Sequence, residues 1–198
     1  MQMHFTMVPM PMTAAEKFNE AVYFFNQMVV TVNNTRTFPF NLSAFLSALR
    51  STTFYLQVQY GHDPKFADWY SRAQESMKSD PVLKLLKELR TEVVHQRPVN
   101  LLVKSGPQFH ENPIVTDHLE IMHSSDSAGN IVWRYRVGRD GEERSAEPIT
   151  DWDFDTYGGS VLTACRQGLA HIEGLLREWQ ELFGTKDAAE SGPAKKLE

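Results

Sequence analysis

The chain has 198 residues, 41% of them hydrophobic and 23% charged, with 20 basic against 25 acidic side chains and a formal charge of −5. A chain of this size buries about 70% of its extended surface on folding, so its core needs no disulfide or metal staple; collagenous, disordered and disulfide-framework classes are excluded. The acidic balance argues against a protein devoted to gripping duplex DNA without sequence preference, because phosphate neutralisation drives that binding.

Met1–Met12 lacks a basic region followed by an apolar core, so no signal peptide is expected. Thr13 and Glu16 then stand at capping-box spacing, and Phe18, Val22, Phe25 and Val29 follow on one face of a first helix. Asn41 is placed to cap a second helix whose apolar side runs from Leu42 to Tyr60, with Gly61 at its end. Asp63-Pro64 and Asp80-Pro81 each put a cap before a proline at the first helical position, where its missing N–H costs nothing. The third helix carries Phe66, Trp69, Tyr70, Ala73 and Met77; the fourth carries Val82, Leu85, Leu86, Leu89 and Val93. Pro98 disfavours helical backbone at Arg97 and closes the fourth helix.

From Val99 to about Thr156 the texture is β. The stretches Val99–Lys104, Leu119–His123 and Ile131–Val137 alternate or are β-branched, and turn residues such as Gly106-Pro107 and Asp140-Gly141 separate them. In IVWRYRV, alternation puts Trp133 and Tyr135 on one face and Arg134 and Arg136 on the other. The ring face suits either packing onto the bundle, which is favoured, or stacking of single-stranded bases. Asp151, Asp153 and Asp155 alternate with Trp152 and Phe154, which reads as an edge segment and not as a calcium loop, since the sixth and twelfth positions hold Thr156 and Leu162. Gly158-Gly159-Ser160 opens a closing helix with Val161, Cys165, Leu169, Ile172, Leu176 and Trp179 inward, stopped by Gly184.

The fold expected is α+β and mainly α. It is an antiparallel bundle of four to five helices with a small antiparallel β-meander inserted before the last long helix. One domain spans 1–184, with the bundle at 13–97, the meander at 99–156 as a flap between the fourth and fifth helices, and the closing helix at 158–184. The polar tail 185–198 reads as disordered. Cys165 is the only cysteine and sits in an apolar stripe, which suggests an inert buried thiol in a reducing, cytoplasmic setting. No apolar run reaches the roughly 18 residues of a membrane span, so no membrane association is expected. No zinc signature, phosphate loop, dinucleotide fingerprint or serine nucleophile elbow occurs, so neither a metal nor a cofactor is expected.

One motif stands out. Near the end of the fourth helix, in DPVLKLLKELRTEVVHQRP, Arg90 precedes His95 by five residues. This resembles the signature of the HEPN superfamily, an Arg and a His separated by four to six residues late in a helix of a small bundle. The resemblance implies a metal-independent ribonuclease of defence or toxin type, with the Arg–His pairs of a homodimer facing one cleft, or an inactive RNA-binding relative. Carried over, His95 would be general acid/base and Arg90 would hold the scissile phosphate. Thr91, Arg50, Lys87 and Arg97 are the candidate substrate contacts. On an ideal helix the two motif residues lie about 140° apart and roughly 7.5 Å along the axis, so a joint site requires local unwinding or a second protomer.

The surrounding charge suits a phosphate: six basic residues (Lys78, Lys84, Lys87, Arg90, Arg97 and Lys104) stand against Asp80, Glu88 and Glu92. The alternative is a non-catalytic protein-interaction or structural helical module. Expected partners are therefore a second copy of the chain, RNA, or an antitoxin-like protein.

Overall fold

The first helix, α1 (Ala14–Val30), opens on the expected capping box: the Thr13 hydroxyl accepts from the Glu16 amide at 3.1 Å, and the Glu16 carboxylate accepts from the Thr13 amide at 3.0 Å. Its buried residues are Ala14, Ala21, Phe25 and Met28, while Val29 is exposed. The inner stripe keeps Phe25 but is otherwise rotated from the predicted one, with Ala14, Ala21 and Met28 inward in place of Val22 and Val29. These observations come from a computed structural model, which describes residues 13–95, 99–109, 118–155 and 158–183, without the side chains of Val94 and His95. Met1–Met12, Gly184 and the tail 185–198 lie outside the described residues.

Helix α2 (Thr37–Tyr60) starts four residues before Asn41. Asn34 does the capping instead: its Oδ1 accepts from the amides of Arg36 at 3.0 Å and Thr37 at 2.9 Å. Pro39 falls within the first turn, where a missing donor is harmless, so the helix extends back through it. Asn41 lies inside and donates to the Thr31 hydroxyl at 3.1 Å. Arg50 is the sole charged residue of α2, as suits a helix packed against α1, α4 and α5.

Both Asp-Pro pairs act as read. Asp63 caps α3 (Pro64–Ser79) through the Lys65 amide, and Asp80 caps α4 (Pro81–His95) through the Leu83 amide, each at 2.8 Å. The second oxygen of Asp80 meets His171 Nδ1 at 3.2 Å, tying the α3–α4 corner to α5 (Val161–Phe183). One end of the bundle is aromatic, with Phe66 stacked on Tyr70 and Trp179 packed against Phe66, Trp69 and Phe183. Cys165 is buried, and burial pushes its thiol pKa up. Among the described residues no helix is long and apolar enough to cross a membrane.

Four strands precede α5: β1 (Leu101–Gln108), β2 (Leu119–Ser125), β3 (Ile131–Val137) and β4 (Glu143–Phe154), all paired antiparallel in the order β1-β4-β3-β2. The protein is thus α+β and mainly helical, with the sheet ahead of the last helix. Only β2, β3 and β4 form a meander; β1 returns beside β4, a Greek-key order. The segment read as an edge is part of an inner strand. Residues 143–146 of β4 pair with β3 and residues 147–154 with β1. Pro148 lies opposite Pro107, and the ladder to β3 stops at Ala146, consistent with a residue that cannot donate.

The sheet is no flap between the fourth and fifth helices. It is fastened to the α1–α2 connection at two points. In the β2–β3 turn, the Gly129 carbonyl accepts from the amide and hydroxyl of Thr35, at 2.9 and 3.0 Å, and the Ile131 amide donates to Asn33 at 2.8 Å. Gly129 is needed there: its φ is +91°, and a Cβ would crowd Arg36 and Asn34. At the second point Trp152 stacks on Phe38 at 4.3 Å and donates from Nε1 to the Val32 carbonyl at 2.7 Å. With these anchors in place, Trp133 and Tyr135 find their ring partners inside the sheet, His123 at 4.8 Å and Phe109 at 5.0 Å, and not on the bundle. Trp133 Nε1 donates to Ser105 of β1 at 2.8 Å across the intervening strand, which curls the sheet.

Candidate functional site

Helix α4 is continuous through His95, so its backbone does not unwind to bring positions 90 and 95 onto one face. Arg90 is half-buried, and its Nε is buried without a hydrogen-bond partner among the described residues. Thr91 is exposed and its hydroxyl donates to its own helix, at the Lys87 carbonyl, 3.0 Å away. The side chain of His95 and all of Arg97 lie outside the described residues.

Two other candidates do converge. Arg50 of α2 and Lys87 of α4 line one cavity of about 300 Å³, enclosed by α2, α3, α4 and α5. Its apolar wall comes from Leu46 and Leu49 of α2, Met77 of α3, Leu83 and Leu86 of α4, and Ile172 of α5. Lys78 of α3 and Lys84 of α4 join Arg50 and Lys87, giving four cationic side chains and no carboxylate, imidazole or thiol among the lining residues.

The spacing explains this division. On α4, Leu83 and Leu86 face the core at i and i+3, and Lys84 and Lys87 repeat that interval one position on, placing both ammonium groups at the mouth. All four cationic residues are exposed. Arg50 donates to the Thr53 hydroxyl at 2.7 Å, and Lys78 pairs with Glu75 at 2.7 Å on the surface. Lys84 and Lys87 have no carboxylate partner among the described residues.

Part of the polar wall is satisfied internally: Tyr70 accepts from Gln57 at 2.9 Å and donates to the Thr53 carbonyl at 3.4 Å, while the half-buried Gln74 has no side-chain hydrogen bond among the described residues. Gly168 of α5 is buried behind the apolar wall, where a Cβ would run into Leu86 and touch Leu49. The absence of that one methyl lets α5 close on α2 and α4 while leaving the leucines where they line the cavity. Lys78 and Lys84 entered the sequence reading only as part of a basic excess. On α4, Lys84 and Lys87 each follow a cavity leucine by one position, which is the signal available in the sequence, but the contribution of Lys78 from α3 depends on tertiary packing.

The remaining polar groups are engaged elsewhere. Asp153 pairs with Lys104, and that carboxylate raises the lysine's pKa. Asp151 accepts from the Ser160 hydroxyl at 3.1 Å. His123 packs on Trp133, and His110 lies outside the described residues.

Comparison with protein families gives one match: residues 8–105 are similar to bacteriophage lambda protein ea47. No curated protein and no solved structure matches the chain. The matched stretch contains the whole of DPVLKLLKELRTEVVHQRP, and what it is similar to is ea47 and not HEPN. The HEPN resemblance is therefore corrected. An Arg and a His five apart on a charged amphipathic helix are common enough to arise without kinship, and on an ideal helix positions five apart lie about 140° apart around the axis. The match covers α1 to α4 and most of β1, including the residues that α2, α3 and α4 bring to the cavity.

Proposed function

We propose that the chain is a non-catalytic binding module whose recognition site is the cavity between α2, α3, α4 and α5, and that its ligand is an anion. The observation that carries this reading is the gathering of four cationic side chains from three helices around one apolar wall, two of them without carboxylate partners among the described residues. A field of one sign at the mouth of a low-dielectric cleft attracts and orients a ligand of opposite charge. No lining group has an ordinary pKa near neutrality, so the wall offers no general acid or base suited to proton transfer there. The residue roles of a ribonuclease rested on the HEPN likeness, which the similarity to ea47 overturns.

The test uses fluorescence anisotropy with the full chain and labelled anionic probes: an acidic amphipathic peptide and a short RNA. At least one should bind in a salt-sensitive manner, and the triple substitution Arg50→Gln, Lys84→Gln, Lys87→Gln should remove that binding. RNA incubated with the protein should stay full length. Equal binding by the triple variant would move the site elsewhere, and RNA cleavage lost on Arg90→Ala would replace this reading with a catalytic one.

A further inference from the structure

The cavity's two chemistries are segregated, and the segregation specifies a ligand. Resting on the anion-binding reading above, we infer that the site takes a small amphipathic anion: one carboxylate or phosphate head on an unbranched apolar body. The volume of about 300 Å³ lies at the lower end of the range for small-molecule pockets. An extended polyanion such as RNA would use the cationic mouth and leave the apolar wall uncovered. An apolar body can cover Tyr70 and the Thr53 carbonyl without stranding them, because these and Gln57 already satisfy one another.

Met77 adds an unbranched, adaptable side chain that can follow the contour of a flexible tail. The head then meets Lys84 and Lys87, the two ammonium groups with no carboxylate partner among the described residues, while Arg50 presents a planar fork of donors from the facing helix. The tail is held inside a bundle and the head at its rim. This arrangement suits a monomeric amphiphile more than a lipid still seated in a bilayer.

The experiment is isothermal titration of the full chain with alkyl phosphates of increasing length, at concentrations below micelle formation. Affinity should rise about fourfold for each methylene that becomes buried, and then level off when the cavity is full. Decanoate should bind like decyl phosphate, and decyltrimethylammonium at least tenfold more weakly. The exposed double substitution Lys84→Gln, Lys87→Gln should weaken decyl phosphate about tenfold or more while leaving decanol unchanged. Gly168→Ala, which drives a methyl against Leu86, should lower the affinity for long tails more than for short ones.

Independence of chain length would overturn the inference, as would equal binding of the cationic and anionic amphiphiles. Co-sedimentation with phosphatidylglycerol vesicles as strong as the binding of monomers would replace it with a membrane surface role. If the acidic peptide binds through Arg50, Lys84 and Lys87 but decyl phosphate does not, the ligand class is wrong and the anion site stands. If neither binds, both readings fall.

Discussion

Three cationic side chains of the sheet and two of the bundle cleft live under opposite conditions. On the sheet, Arg134 meets Glu143 at 3.0 Å, Arg136 meets Glu120 at 3.0 Å, and Lys104 meets Asp153. At the cleft, Lys84 and Lys87 stand at i and i+3 on α4, with no acid on the cavity lining and no ion pair to either among the described residues. A charge that is neutralised by its neighbour across a strand belongs to the architecture. A pair of like charges held together beside an apolar cavity repel each other, and that repulsion is relieved by an anion from outside.

The anchors beneath the sheet give the largest expected effects. Trp152→Ala removes the stack on Phe38 and the bond to Val32, and should cost about 3–5 kcal/mol in urea unfolding. Gly129→Ala comes next: forcing an L side chain into left-handed backbone costs about 1–2 kcal/mol, and the crowding against Arg36 adds to it. Gly138→Ala is the matched control, because its φ is +80° but nothing lies near the position of its Cβ. It should therefore lose less than Gly129→Ala in the same assay.

Smaller effects sharpen the contrast between the two sets of charges. Arg134→Gln with Arg136→Gln should destabilise by about 0.2–1 kcal/mol, since these are partly exposed pairs. Lys84→Gln with Lys87→Gln should instead leave the melting temperature unchanged or raise it slightly, by relieving a like-charge pair at i, i+3. A clear loss of stability in that double variant would mean that the cleft lysines are structural after all.

The smallest effect is one of pH. In the β2–β3 turn, hydrogen bonds from Asn130, first its side chain and then its backbone, hold the Asp126 carboxylate below its ordinary pKa. A depressed folded-state pKa means that the contribution is present above the unfolded value and lost as pH falls through the folded one. Hydrogen exchange at the Ala128 and Asn130 amides should accelerate, relative to the rest of the sheet, as pH drops below the usual carboxylate range. Lys104 behaves in the opposite sense. Its bond to Asp153 raises its pKa, so its contribution is present below the ordinary lysine value and lost as pH rises through the raised one.

Local chemistry accounts for what could be read in advance. Thr13 with Glu16, and each Asp-Pro pair, act within three residues of themselves, and those helix starts emerge where expected. Asn41 was a reasonable cap by the same rule, but a proline in the first turn of α2 disguised the true start, and Asn34 serves from further back. The sheet order was less accessible, because pairing β1 with β4 joins residues about 45 apart and leaves no periodic mark. Trp133 and Tyr135 showed which residues share a face, but alternation alone does not say what that face covers. For the cleft, the sequence offers Arg50 and Lys87 as candidate substrate contacts. That they meet Lys78 and Lys84 around one cavity, and that its lining carries no acid, follows from how α2, α3 and α4 cross.

The interior position of Cys165 makes the protein its own gauge of opening. A thiol that is sealed in the core and held protonated reacts with an alkylating dye only when the helices part. With one sulfhydryl in the whole chain, the labelling rate counts a single event, the exposure of α5. Any ligand that clasps α2, α3 and α4 onto that helix should announce itself by slowing the dye.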